Sequence, residues 1–126
     1  MEDFVSFEIA KKLKEKGFKE KCFATYTKNG DFDYNDLWND EPISYNESCE
    51  YVGIEAWIDA PTISQVLKWL REEKGIHICI SLGTYSDWDC EISKIDGNVY
   101  CNAYCGCHDY EQAALVGISF VIDELI

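Results

Sequence analysis

The chain has 126 residues, 47% of them hydrophobic and 14% aromatic, which is the composition of a folded protein and not of a disordered one. This length predicts a single domain over residues 1–126 with a substantial core. Its 24 acidic and 11 basic residues give a net charge of −13, and because such a surface repels phosphate backbones, we expect no direct binding to nucleic acid.

The N-terminal residues predict a helix. Ser6 can cap a helix over residues 7 to 16, within which apolar side chains recur at helical spacing. Gly17 then supplies a left-handed end, and Phe18 is placed for the hydrophobic contact that accompanies such endings.

A β-hairpin is predicted next. Residues 22 to 27 read as a strand, and the dipeptide Asn29-Gly30 is typical of a tight hairpin turn. The partner strand begins near Asp31 and alternates acidic with aromatic residues.

Residues 35 to 50 have neither a helical nor a strand period, which predicts a long acidic loop. Aromatic side chains lie in this loop and in the strand before it, and residues of this type are enriched in the energetic centres of interfaces. The candidate interaction residues are Phe32, Tyr34, Trp38 and Tyr45. They could equally hold the loop against the core.

The best-specified stretch comes next, a helix that runs through one glycine into a strand. Thr62 and Gln65 form a reciprocal cap, and Gly75 ends the helix. The predicted buried stripe, with Trp69 at its edge, consists of Ile63, Val66, Leu67 and Leu70. Residues 76 to 82 then alternate strictly, and this alternation places Ile76, Ile78, Ile80 and Leu82 on one face.

Two more strands and a helix complete the chain. Residues 88 to 92 and residues 99 to 104 predict a three-stranded meander together with the preceding strand. The alternation of the first of these two strands places Trp88, Cys90 and Ile92 inward. Asp109 caps the last helix, which is apolar on much of its circumference. It therefore either packs deeply across the sheet or meets a second copy of the chain.

These elements predict an α+β fold. An antiparallel sheet, made of the hairpin plus the three-stranded meander, carries about three helices packed mainly on one face. No run of about eighteen apolar residues and no apolar signal core is present, so we expect a cytoplasmic protein without membrane contact.

The most suggestive chemical cluster contains four residues near the end of the meander. They are Cys101, Cys105, Cys107 and His108. Zinc binds such ligands, and a thiol beside an imidazole could act as a nucleophile, although the spacing matches no standard zinc module. The alternative is that these thiols are buried as small apolar residues. Since the glycines stand singly and form no phosphate-binding loop, no cofactor is expected.

Residues 60 to 78 (APTISQVLKWLREEKGIHI), and also residues 6 to 18 and the helix that begins at residue 110, resemble uncharacterised small proteins of phages, prophages and conjugative elements of anaerobic gut bacteria. The resemblance implies a mobile-element setting. It implies no particular activity, and no functional residue can be transferred from it.

Three hypotheses for function follow. The first is a cytosolic, non-enzymatic module that binds a protein partner, because the chain carries no catalytic signature. The second is an acidic mimic of nucleic acid that inhibits a host protein through its Asp and Glu side chains. The third is a metal- or thiol-dependent site at the cysteine cluster.

Overall fold

The computed structural model describes residues 3–34, 57–83, 87–94 and 99–126, without the side chains of residue 34 and residues 99–106. The helices in this part of the chain are α1 (Phe7–Glu15), α2 (Ile63–Glu73) and α3 (Tyr110–Phe120), and a π-helical turn over Val121–Leu125 continues α3. The strands are β1 (Ala24–Thr27), β2 (Phe32–Tyr34), β3 (Trp57–Asp59), β4 (Ile76–Leu82), β5 (Trp88–Lys94) and β6 (Val99–Cys107). The predicted α+β class is confirmed.

The strands form two antiparallel sheets, with the orders β2-β1-β3 and β4-β5-β6. Both the predicted hairpin and the predicted meander are present, but they lie in different sheets and not in one. The reason is that β3 pairs with the second edge of β1, where Thr25 lies opposite Asp59. The chain divides into two compact units, Met1–Thr62 and Ile63–Ile126, and each unit contains one sheet. The single domain stays a prediction.

Helix α1 begins and ends through the predicted contacts. The Ser6 hydroxyl accepts a hydrogen bond from the backbone N–H of Ile9 at 3.3 Å. At the other end, the N–H of Phe18 donates to the carbonyl of Leu13 at 3.0 Å, across Gly17, and the Phe18 side chain is fully buried. This is the hydrogen-bonded ending, with its hydrophobic contact, that the glycine predicts.

The hairpin of the first unit turns through a three-residue loop. Thr27 donates to the carbonyl of Asp31 at 2.9 Å, and Gly30 donates back to the carbonyl of Thr27 at 2.9 Å. Gly30 has a φ of 90°, which residues with a side chain rarely adopt, and a Cβ here would lie 3.3 Å from the ring of Phe7. The predicted turn is therefore confirmed, and its glycine also meets helix α1.

In the second unit, α2 begins directly after Thr62, as predicted, and ends before Gly75. Its buried residues are Ile63, Val66, Trp69 and Leu70. Trp69, expected at the edge of the apolar stripe, lies inside it, while Leu67 is only partly buried. The Lys74 ammonium covers the indole of Trp69, 5.3 Å from the ring centroid.

Helix α3 packs deeply on the second sheet, which is one of the two predicted arrangements. Its predicted cap is confirmed, because the Asp109 carboxylate accepts a hydrogen bond from the N–H of Gln112 at 2.7 Å. Farther along the helix, a Cβ on Gly117 would lie 3.0 Å from Ile78 and 3.3 Å from the sulfur of Cys90. Glycine therefore lets the helix backbone approach the sheet closely.

The cap of α3 gives a test with a matched control. Asp109→Ala removes the acceptor, so we expect the free energy of unfolding to fall by about 1 kcal/mol. Asp109→Asn keeps a side-chain oxygen in the same place and should stay within about 0.5 kcal/mol of the wild type. Urea unfolding followed by circular dichroism measures both. Equal losses in the two variants would contradict the cap.

Candidate functional site

The sequence-predicted interaction residues belong to the first unit. Phe32 lies in β2 and is 40% exposed. Tyr34 ends the same strand, but its side chain lies outside the described part of the structure, and Trp38 and Tyr45 lie outside the described residues altogether. The role of these four residues in binding stays a prediction, with Phe32 as its one described side chain.

Phe32 belongs to a row of four rings that holds the first unit together. The ring centroids of Phe4 and Phe32 lie 5.1 Å apart, those of Phe32 and Tyr26 lie 5.5 Å apart, and those of Tyr26 and Phe7 lie 5.5 Å apart, all edge to face. The Tyr26 hydroxyl donates to the carbonyl of Val5 at 2.6 Å, and burial raises the Tyr26 pKa. Because each such ring pair contributes about 0.5–1.5 kcal/mol, Phe32 has a structural role whether or not it binds a partner.

The second sheet has an apolar face that becomes exposed towards one end. The pairs across β4 and β5 on this face are Ile78 with Ile92, Ile80 with Cys90, and Leu82 with Trp88. Ile78, Ile92 and Cys90 are buried, whereas Trp88 is partly exposed and Leu82 is 59% exposed. The predicted face is correct, but its last pair is not covered.

The first residue of helix α3 lies at this end of the sheet. The ring of Tyr110 packs edge to face against Trp88, with centroids 5.7 Å apart, and remains 41% exposed. Gly117, about two turns farther along α3, already lies above Ile78. Leu82, Trp88 and Tyr110 therefore form a partly exposed apolar surface, which we call the sheet-end patch.

Acidic residues are sequence neighbours of both rings of the patch, but they do not all share its face. Asp89 follows Trp88 in β5 and therefore lies on the opposite face of the sheet, where a Cβ on Gly83 would lie 2.8 Å from its carboxylate. Asp109 and Glu111 flank Tyr110 at the start of α3. Lys94 is the only lysine or arginine after residue 75, so this part of the sequence is strongly acidic.

The cysteine cluster lies mostly along one strand. Strand β6 runs to Cys107, beyond its predicted end, so Cys105 lies in extended backbone and not in a turn. Six strand residues span roughly 20 Å, which disfavours a single metal ion held by both Cys101 and Cys107. Cys107 is buried and His108 is exposed, while the side chains of Cys101 and Cys105 lie outside the described part.

Among the side chains that the structure describes, no three His, Cys, Asp or Glu residues converge on a point where a metal ion could bind. The metal or thiol site at Cys101, Cys105, Cys107 and His108 therefore stays a prediction. Zinc measured in the purified protein by elemental analysis, with a loss of stability on chelation, would support it.

Cysteines in the thiol form occur in both units. Cys22, Cys90 and Cys107 are buried, and Cys79 is exposed. The Cys22 thiol donates to the carbonyl of Glu20 at 3.4 Å. Burial raises the pKa of Cys22 strongly, and the nearby carboxylates of Asp59 and Glu20 raise it further. Because the thiolate is the reactive form, Cys22 is a poor nucleophile.

Strand alternation predicts that Leu82 and Trp88 face inward, and no sequence pattern marks Tyr110 as part of a binding surface. Their position in the sequence does indicate exposure, because Leu82 and Trp88 flank residues 83–87, which connect the two strands at the end of the sheet. Exposure at that point depends on where the covering helix begins, which the alternation of the strand does not specify.

Comparisons with protein-family models, with curated proteins and with solved structures find no match to this chain. Within the described residues, no helix combines the length and the apolar character needed to cross a membrane.

The buried thiol of Cys22 predicts a pH dependence of stability. The unfolded thiol loses its proton near pH 8.5–9, whereas the folded thiol keeps it, so the free energy of unfolding should fall above about pH 9, by at most about 1.4 kcal/mol per pH unit. Cys22→Ala should remove this contribution, and the exposed-site control Cys79→Ala should retain it. Urea unfolding between pH 8 and 10.5 measures the slopes. A wild-type slope in Cys22→Ala would contradict the burial of this thiol.

Proposed function

We propose that this protein is a small, non-enzymatic protein-interaction module and that the sheet-end patch is its binding surface. The observation that carries the proposal is the exposure of Leu82 beside the packed rings of Trp88 and Tyr110. Trp and Tyr are enriched among the residues that dominate binding energies, because each buries a large area with few rotatable bonds.

The energetics of the patch support binding by an apolar anchor. Covering the exposed part of Leu82, 59% of the residue, would contribute about 1–2 kcal/mol before the cost of association. One strand spacing and the ring pair together span roughly 10 Å, which leaves room for one or two partner side chains. A stable interface covers about 800 Å² on each partner, so the patch would be the centre of a larger contact.

The setting that we propose is the cytosol of a bacterium that carries a mobile genetic element. Among the described residues, Cys22, Cys79, Cys90 and Cys107 are thiols and not half-cystines, which supports a reducing compartment. The resemblance over residues 60 to 78 supports the mobile element.

A second candidate function is the acidic mimic of nucleic acid. The charge of −13 supports it, because such a surface attracts proteins that normally bind phosphate backbones. The two functions differ in what holds the partner. A mimic depends on Asp and Glu side chains and on low salt, whereas an interaction module also depends on Leu82 and Trp88.

Site-specific photo-crosslinking in cells of the source organism tests the proposed surface. A photoreactive benzoyl-phenylalanine replaces Leu82 in one variant and Val116 in a matched control, since Val116 is also exposed, at 44%, but lies within α3, away from the patch. We expect a discrete adduct with another protein from position 82, at least about five times more abundant than any adduct from position 116.

Equal adducts at the two positions, or none at position 82, would contradict binding through the patch. An adduct at position 116 with twice the mass of the chain would instead support self-association through α3, which stays a prediction.

A further inference from the structure

We infer that the outer edge of β4, the edge that faces away from β5, pairs with the same edge of a second copy of the chain. The two β4 strands would run antiparallel about a two-fold axis at Cys79, and two three-stranded sheets would become one of six strands. The inference goes beyond the proposed function, because it uses the backbone of β4 and not the side chains of the sheet-end patch.

The outer edge of β4 carries backbone groups that no described strand pairs with. The sheet has the order β4-β5-β6, so β4 has a neighbour on one side only. The N–H of Gly83 donates to the carbonyl of Asp87 at 2.6 Å. Since hydrogen-bonded pairs alternate along an antiparallel ladder, the odd-numbered residues of β4 are the ones that bond to β5. The N–H and C=O groups of the even-numbered residues from Ile76 to Leu82 point outward, and within the described part of the chain no backbone hydrogen bond reaches them.

Of the four outer strands that the structure describes, three have features that discourage pairing with another chain. The outer strands of the first sheet, β2 and β3, have three residues each and contain Asp33 and Asp59. In the second sheet, β6 changes its register against β5 twice. By contrast, β4 pairs with β5 over all seven residues without a shift, and it contains no acidic residue, lysine, arginine, proline or glycine. Short, charged and irregular edges protect sheets from other chains, so β4 is the edge that is open to pairing.

A second copy of β4 matches this edge. In the register centred on Cys79 all seven residues pair, with Ile78 of one copy opposite Ile80 of the other and Ile76 opposite Leu82. Residues of the same face therefore meet, and each outward N–H faces a carbonyl. Because the contact is isologous, one pairing satisfies the outer edges of both copies.

Charge does not prevent this pairing, although each copy carries a charge of −13. On the polar face, His77 would lie opposite Ser81, and Cys79 opposite Cys79, so that no two acids face each other. Asp89 and Glu91 share this face but lie in β5. The two β5 strands would be three strand spacings apart, roughly 14 Å, which exceeds the screening length of about 8 Å in physiological salt.

Sedimentation equilibrium of the purified full chain in reducing buffer tests the inference. One strand pair covers less than the roughly 800 Å² on each partner of a stable dimer, so we expect a dissociation constant on the order of 10–100 µM. Between about 10 µM and 1 mM protein, the average mass should rise from 14.5 kDa towards twice that value. Association should be tighter at 500 than at 50 mM salt, because salt screens the net repulsion.

Three variants locate the contact. Cys79→Asp places two carboxylates opposite each other at the two-fold axis, and it should weaken the dimer about fivefold. Cys79→Ser removes the thiol without adding charge, and Val116→Asp adds the same charge at an exposed position of α3. Each control should change the dissociation constant less than about twofold. Circular dichroism verifies that each variant is folded.

Amide hydrogen exchange of the wild type, followed by NMR, needs no variant. The N–H groups of Ile78 and Ile80 should exchange about threefold more slowly at 1 mM than at 50 µM protein, because the dimer pairs them. The N–H groups of Cys79 and Ser81 bond to β5 in monomer and dimer alike, so their exchange should not change.

Oxidation with copper phenanthroline tests the register. Residues opposite each other at the axis have a Cα separation of about 4.5 Å, within the range that a disulfide spans. The wild type should therefore form a disulfide-linked dimer that Cys79→Ser does not form. The double variant Cys79→Ser with Ser81→Cys should form little, because the two thiols would lie roughly 14 Å apart.

Three results would overturn the inference. A chain that stays monomeric up to 1 mM would leave the edge to a strand of another protein. Equal weakening by Cys79→Asp and Val116→Asp, without slower exchange at Ile78 and Ile80, would move the contact to another surface. A thiol at position 81 that crosslinks as readily as Cys79 would show that the two-fold axis does not lie at Cys79.

Discussion

The close approach of helix α3 to the second sheet is the contact on which the second unit depends. Gly117 places the helix backbone directly against Ile78 and Cys90, and the fully buried Ala113 and Ala114 keep the same face of the helix narrow. Because a side chain at position 117 would push the helix outward, this contact sets the height of α3 above the sheet. The helix begins after the Asp109 cap, and its first residue, Tyr110, packs against Trp88.

The position of the patch follows from this arrangement. A helix that lies low over the middle of β4 and β5 covers Ile78, Cys90 and Ile92 completely. At the end of the strands Tyr110 packs against Trp88, and Leu82 remains 59% exposed. The patch is thus the uncovered continuation of the core face.

Much of the fold was predictable, because its signals are local. The caps at Ser6 and Asp109, the hairpin at Gly30 and the meander each depend on residues only a few positions apart. The assignment of the strands to two sheets was not predictable, since it depends on the pairing of β1 with the three-residue strand β3, more than twenty residues along the chain. Such a short strand has no period of its own.

The candidate site was predictable only in part. Strand alternation correctly placed Leu82 and Trp88 on the apolar face. The prediction that they are buried there was wrong, because their burial depends on where helix α3 begins. In α2, Trp69 is buried and Leu67 is only partly buried, which is the reverse of the prediction. A small rotation of a helix about its axis decides which edge of its apolar stripe is covered. Solvent exposure is a tertiary property, which local patterns do not determine.

Burial decreases along β4 from Ile76 to Leu82, so the two ends of the strand contribute differently to stability. Ile76 and Ile78 are needed for the core, whereas Leu82, with more than half of its side chain in solvent, contributes little to it. Substitutions at such exposed positions usually change stability by less than about 0.5 kcal/mol. The residue at position 82 can therefore be exchanged while the fold stays intact. One strand thus combines core positions that tolerate little change with an end position whose side chain the fold hardly constrains.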